Sequence, residues 1–162
     1  MTTDGTWYHP WTTYIWAREE ARRCGDRRVG TDHLLLGLLH DPAVVAVLGV
    51  SLEQGRRALG SLDDEALHSL GLTASWEAPP LAMRHIPARP TVRAVLQDRL
   101  PMTPAAKGAL ERAARSKRKE NRVNSRDVLL CLLELEHPDP VADLIVELNL
   151  EPEAVRARIL DA

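Results

Sequence analysis

Phenylalanine is absent from the 162-residue chain, and aromatic residues make up only 4% of it. Any apolar groove on this protein therefore lacks phenylalanine walls. The two cysteines, Cys24 and Cys131, are too few for a disulfide scaffold and suit a reducing compartment. No apolar run approaches the roughly 18 residues that a membrane helix needs. No charge excess is present either: 21 Lys+Arg against 23 Asp+Glu leave a net charge of −2, which argues against a dedicated nucleic-acid or membrane-surface binder. The opening Met1-Thr2-Thr3-Asp4-Gly5 has neither a basic stretch nor an apolar one, so no signal peptide is expected and the expected location is the cytoplasm.

The motifs of catalysis are missing as well. There is no Gly-x-x-x-x-Gly-Lys-Ser/Thr loop to cradle nucleotide phosphates, and no ATPase module is expected. The six histidines (9, 33, 40, 68, 85 and 137) form no His-x-x-x-His pair, and no Cys-x-x-Cys occurs. His33 and His40, seven apart, are expected to be structural or interfacial. No serine, cysteine or histidine has a nucleophile-elbow context. The expectation is a protein without catalytic residues, metal or cofactor.

What the chain does have is helical grammar. Apolar residues make up 44% and charged residues 27%, ordinary for a globular protein, and at about 150 residues per domain the expectation is one domain spanning 1–162. Tyr14, Ala17, Ala21 and Cys24 recur at steps of three and four, with Arg18, Glu19, Arg22 and Arg23 assigned to the surface. His9-Pro10 opens this helix and Gly25-Asp26 closes it. Thr31 reads as an N-cap for Leu34-Leu35-Leu36-Gly37-Leu38-Leu39, which is apolar nearly all round and so centrally buried. Asp41-Pro42 starts a short helix, and Gly49-Val50-Ser51 leads into another bearing Leu52, Arg56 and Leu59.

The same grammar returns. Thr103-Pro104 starts a helix with Ala106, Ala109, Leu110 and Ala113. Val123-Asn124-Ser125 leads into Val128, Leu129, Leu130, Leu132 and Leu133. Asp139-Pro140 stands where Asp41-Pro42 stood, and Leu150-Glu151-Pro152 opens a last helix with Val155 and Ile159. Such internal repetition outranks any single motif as evidence about fold. No alternating β pattern appears. The fold class expected is all-α: two pseudo-symmetric four-helix repeats (about 10–60 and 103–160) packed together. Between them, 61–102 reads as a connector with a short helix from Asp63 to Leu70, an extended proline-rich stretch over 73–91, and another short helix from Thr91 to Leu100.

Ala17-Arg18-Glu19-Glu20-Ala21, followed by Val29-Gly30-Thr31-Asp32-His33-Leu34-Leu35-Leu36-Gly37-Leu38-Leu39, resembles the repeat of Clp N-terminal domains. Gly49-Val50-Ser51-Leu52 and Met102-Thr103-Pro104-Ala105-Ala106-Lys107 look like further landmarks of that domain, and Asp63 to Leu72 looks like an insertion of its free-standing members. The resemblance implies a pseudo-twofold helical docking domain with no catalytic residues, which receives substrates and adaptors for Clp chaperones. It also implies candidate ligand residues. In related domains an acidic residue of each repeat helps bind phosphorylated arginine, which points to Thr31 and Asp32 here. In chemical terms a carboxylate pairs a guanidinium fork, and the amides at a helix start suit an anion. In the second repeat Ser125 keeps the hydroxyl, but Arg126 takes the acid position, where a cation repels a guanidinium.

Two other patches stand out. Trp7, Tyr8, Trp11, Tyr14 and Trp16 are five of the six aromatics. Trp7 and Trp11 share a face if their segment is helical, which makes them a candidate hydrophobic patch for a peptide or, by the resemblance, a cyclic-peptide antibiotic. Lys107 to Arg122 carries seven basic and two acidic residues. It suits an acidic partner or nucleic-acid phosphates, although no aromatic is interleaved there to stack bases. The leading reading is a non-catalytic module that binds peptides, tagged proteins (arginine-phosphorylated ones among them) or peptidic ligands and serves Clp proteolysis. The alternatives are an antibiotic-sequestering resistance protein and a regulator contacting nucleic acid through the basic segment.

Overall fold

Proline after a side chain able to cap is the commonest way a helix starts in this protein. In the computed structural model, which describes residues 7–73, 91–97, 99–116 and 123–161, α1 (Pro10–Cys24) follows His9, whose ring accepts from Trp11 N–H. The helices α3 (Pro42–Leu48) and α8 (Pro140–Glu147) follow Asp41 and Asp139, whose carboxylates accept from Ala43 N–H and Val141 N–H. The start of α6 (Pro104–Ser116) is capped by the Thr103 hydroxyl, and α9 spans Pro152–Asp161. Proline costs nothing at such a position, because its missing N–H has no helical partner there anyway.

The remaining elements use other devices. The central helices α2 (Thr31–Leu38) and α7 (Ser125–Leu132) each have a third residue that reaches back to the backbone amide of the cap: His33 Nδ1 accepts from Gly30 N–H, and Asp127 Oδ2 from Asn124 N–H, each at 3.0 Å. The long α4 (Leu52–Ser69) opens on a reciprocal Ser51–Gln54 capping box. A short α5 (Val92–Leu96) completes the described set.

The helices match in order, α1 to α4 against α6 to α9, as two copies of one plan. The central α2 lies against α1, α4, α6, α7 and α8. The copies interlock: α4 crosses to pack on α8, and its counterpart α9 packs on α3; likewise α1 touches α7 while α6 touches α2. Leu34, Leu35, Leu36, Leu38, Val128, Leu129 and Leu132 are fully buried in the shared core. Gly37 lets α1 come down onto α2, since a Cβ there would lie 2.6 Å from the Thr13 carbonyl oxygen. The segment before α6 returns to the first copy. Val29 and Pro101–Thr103 exchange two backbone hydrogen bonds, and Tyr14 Oη donates to the Leu100 carbonyl.

Several local expectations need correcting. Thr31 is the first helical residue rather than the N-cap, which is Gly30. The helix expected over Asp63 to Leu70 is not separate. Helix α4 runs unbroken through Gly60, because one glycine costs a helix only about 1 kcal/mol and no proline or competing side chain stops it there. Gly71, at φ 73°, follows its end. The helix expected from Thr91 to Leu100 shrinks to Val92–Leu96. Arg18, assigned to the surface, is buried and donates to the Gln97 carbonyl. His40 lies beyond the end of α2. The proline-rich stretch between 73 and 91 lies outside the described residues.

Candidate functional site

The start of each central helix meets the cap of the other copy's short helix. Thr31 Oγ1 donates to Asp139 Oδ1, and Ser125 Oγ donates to Asp41 Oδ2, each at 2.5 Å. Both hydroxyl residues are buried, Thr31 at 1% exposure and Ser125 at 0%. Asp41, itself buried, holds three groups at once: Oδ1 caps α3, and Oδ2 accepts from Ser125 and from Tyr8 N–H at 2.8 Å. The Ser125 amide returns the link by donating to the Tyr8 carbonyl at 2.7 Å. The segment before α1 is thereby stitched across the seam between the copies.

The candidate ligand residues fall on and beside this seam. Asp32 follows Thr31, its side chain 16% exposed, and its Oδ1 accepts from His33 N–H at 2.9 Å. Arg126 stands half-buried at the matching place in α7. Trp7 precedes α1, so it and Trp11 are not on one helical face. Trp7 is half-buried against the core, whereas Trp11 is 43% exposed with its ring edge-on to Tyr14 at 5.9 Å. Of the basic stretch, Arg112 and Arg115 are exposed on α6, where Arg115 pairs with Glu111. Lys117, Arg118, Lys119 and Arg122 lie outside the described residues.

Residue-by-residue reading missed a second polar centre. Glu20, with no solvent exposure, accepts from Arg56 Nη2 at 2.7 Å and Nε at 3.1 Å, and His40 Nε2 lies 2.8 Å from it. The His40 ring stacks on Trp16, centroids 3.8 Å apart and planes within 8°. Burial would raise the Glu20 pKa, but the hydrogen bonds and charge of His40 and Arg56 outweigh it and hold the carboxyl below its usual range. A signal was present: Glu20 stands three residues after Ala17 and four before Cys24, on the buried stripe.

No family model matches the chain. A solved structure does: the crystal structure of the N-terminal domain of the caseinolytic protease associated chaperone ClpD from Arabidopsis thaliana, at a TM-score of 0.65 and 19% identity, covering 94% of this chain and 92% of that one. The fold is that of a Clp N-terminal domain. The Clp N fold accounts for the paired four-helix plan. Among the described residues no single helix is long and apolar enough to cross a membrane.

Proposed function

We propose that this protein is a non-catalytic docking module that receives peptide or protein segments on behalf of, or in competition with, a Clp ATPase. The observation that carries the reading is the Clp N fold over nearly the full length of both compared chains. The polar side chains of the seam support it. Thr31, Ser125, Asp41 and Asp139 hold one another and the helix starts, which leaves recognition to the rim around them. On that rim Asp32 is the residue to pair a guanidinium, arginine-phosphorylated segments among its ligands, with Thr31 and Ser125 shaping the helix starts behind it. Sedimentation of the purified protein with a purified Clp ATPase hexamer tests the proposal; co-sedimentation that excess free module abolishes is expected, and none at tens of micromolar would count against it.

A second reading, sequestration of a cyclic-peptide antibiotic, is favoured by one observation, the exposed Trp11 beside Tyr14. Tryptophan fluorescence during titration with a hydrophobic cyclic peptide distinguishes the two. A saturable change that Trp11→Ala removes, without ATPase binding, would replace the first reading with the second.

A further inference from the structure

The turn between α1 and α2 brings three side chains together. Cys24 ends α1, Gly25 turns the chain at φ 79°, Asp26 follows, and His33 sits in the first turn of α2. One ligand atom from each (the sulfur, a carboxylate oxygen and a ring nitrogen) all lie within 4.8 Å of one another. His33 Nε2 and Asp26 Oδ2 are 3.1 Å apart. A tetrahedral zinc ion with bonds of about 2.0–2.3 Å spaces its ligands about 3.3–3.8 Å apart, so nitrogen and oxygen already stand near such an edge. The sulfur needs to close in by about 1.3 Å at most on the same geometry.

The second observation is the state of the histidine. His33 is 3% exposed, and its Nε2 has no hydrogen-bond partner, since the nearby carboxylate does not meet the direction of the ring N–H. A buried polar atom left in this way is costly and asks for a reason. Capping does not supply one. The second copy makes the same amide contact with Asp127, so a carboxylate suffices for the cap. The first copy uses a residue with a second nitrogen, which lies beside the Asp26 carboxylate.

The surroundings favour a cation. Asp32 and Asp63 face the same group, and burial first, then Asp32 and Asp26, pushes the Asp63 carboxyl up. The C-terminal carbonyls of α1 add the negative pole of a helix.

We propose that Cys24, Asp26 and His33 bind a divalent transition-metal ion of the zinc class, with water completing the coordination. Thiolate, imidazole and carboxylate together select zinc or cobalt over magnesium and calcium, which take oxygen ligands. Metal capture expels the thiol proton of Cys24 to solvent. Neutral His33, accepting from Gly30 at Nδ1, carries its proton on Nε2. Coordination at Nε2 moves that proton to Nδ1, where Asp32 Oδ1, 3.4 Å away, accepts it, and Gly30 N–H gives up its ring acceptor. Asp32 then orients the ring from behind, as carboxylates do for metal-bound histidines.

The test uses the full chain with zinc and with cobalt. Expected are one zinc per chain taken from a chromophoric chelator, one proton released per zinc, and a thiolate-to-cobalt charge-transfer band in the near ultraviolet. Cys24→Ser should abolish the band, and Asp26→Asn should weaken zinc binding at least about tenfold. That side chain is 55% exposed, so its replacement leaves the fold intact. His33→Gln, which keeps an acceptor for Gly30, should weaken binding likewise, and Cys131→Ser should change nothing. No zinc uptake from the chelator, or uptake equal in Cys24→Ser and Asp26→Asn, would overturn the site and leave adventitious metal only.

Discussion

A carboxylate without solvent contact must be answered by donors, and at the residue scale Glu20 is the case that matters for stability. Its folded pKa lies below the usual value, so its contribution is present above the unfolded carboxylate range and is lost as pH falls through the folded value. Unfolding free energy measured by urea titration should therefore drop on acidification below about pH 4.5, and Glu20→Gln should flatten that slope. Arg56→Met removes two of its contacts, and a cost of about 3 kcal/mol is expected in the same measurement. Asp32 makes a different prediction. If it pairs a guanidinium, Asp32→Ala should weaken free phosphoarginine in calorimetry by roughly ten- to a hundredfold, while Arg126→Glu leaves the first site unchanged. Equal affinity in Asp32→Ala would remove that role. At this scale the sequence was only partly legible. The Thr31 and Ser125 hydroxyls stood out as chemistry-bearing, yet their partners Asp139 and Asp41 are about a hundred positions away, and no local spacing encodes such a pairing.

Helices respond to substitution according to what lies above them. Leu35 and Leu129 occupy matching positions in α2 and α7, both with no exposure, and replacing either with Ala should cost about 2–5 kcal/mol in denaturant unfolding. Two glycines should give opposite signs. Gly37→Ala drives a methyl into the Thr13 carbonyl and the Ala17 amide at 2.6 and 2.8 Å, and a loss of about 1–3 kcal/mol is expected from forcing α1 off α2. Gly60→Ala meets nothing within 4 Å in the middle of α4 and should gain about 0.5–1 kcal/mol. Thermal melts of the two variants check both. Elements were the most legible scale. Leucine runs, Asp-Pro pairs and Gly25 mark starts and stops by local chemistry, so those helices stand where periodicity puts them. Legibility failed at Gly60, where a weak local signal met a helix able to absorb it, and at Arg18, whose burial depends on the Gln97 carbonyl far along the chain.

For the molecule as a whole, the exchange at the seam makes each copy depend on the other. Thr31→Val leaves the half-buried Asp139, and Ser125→Ala the buried Asp41, short of a donor, at a cost of about 1–3 kcal/mol. In calorimetry both should lower one shared transition rather than split it into two. The paired plan was legible because the repeat is written twice. Which helix crosses to which copy was not, since α4 on α8 and α9 on α3 follow from shape in three dimensions. That crossing also bears on assembly. The first copy alone contains both halves of the exchange, the hydroxyl of Thr31 and the carboxylate of Asp41, together with both α3 and α4. Two such copies meeting about a true dyad would satisfy each other as an isologous dimer, each hydroxyl answering the other's aspartate. The single chain is thus arranged as a tethered dimer would be: the exchange at the seam is kept in both halves while their rims differ, Asp32 in one and Arg126 in the other.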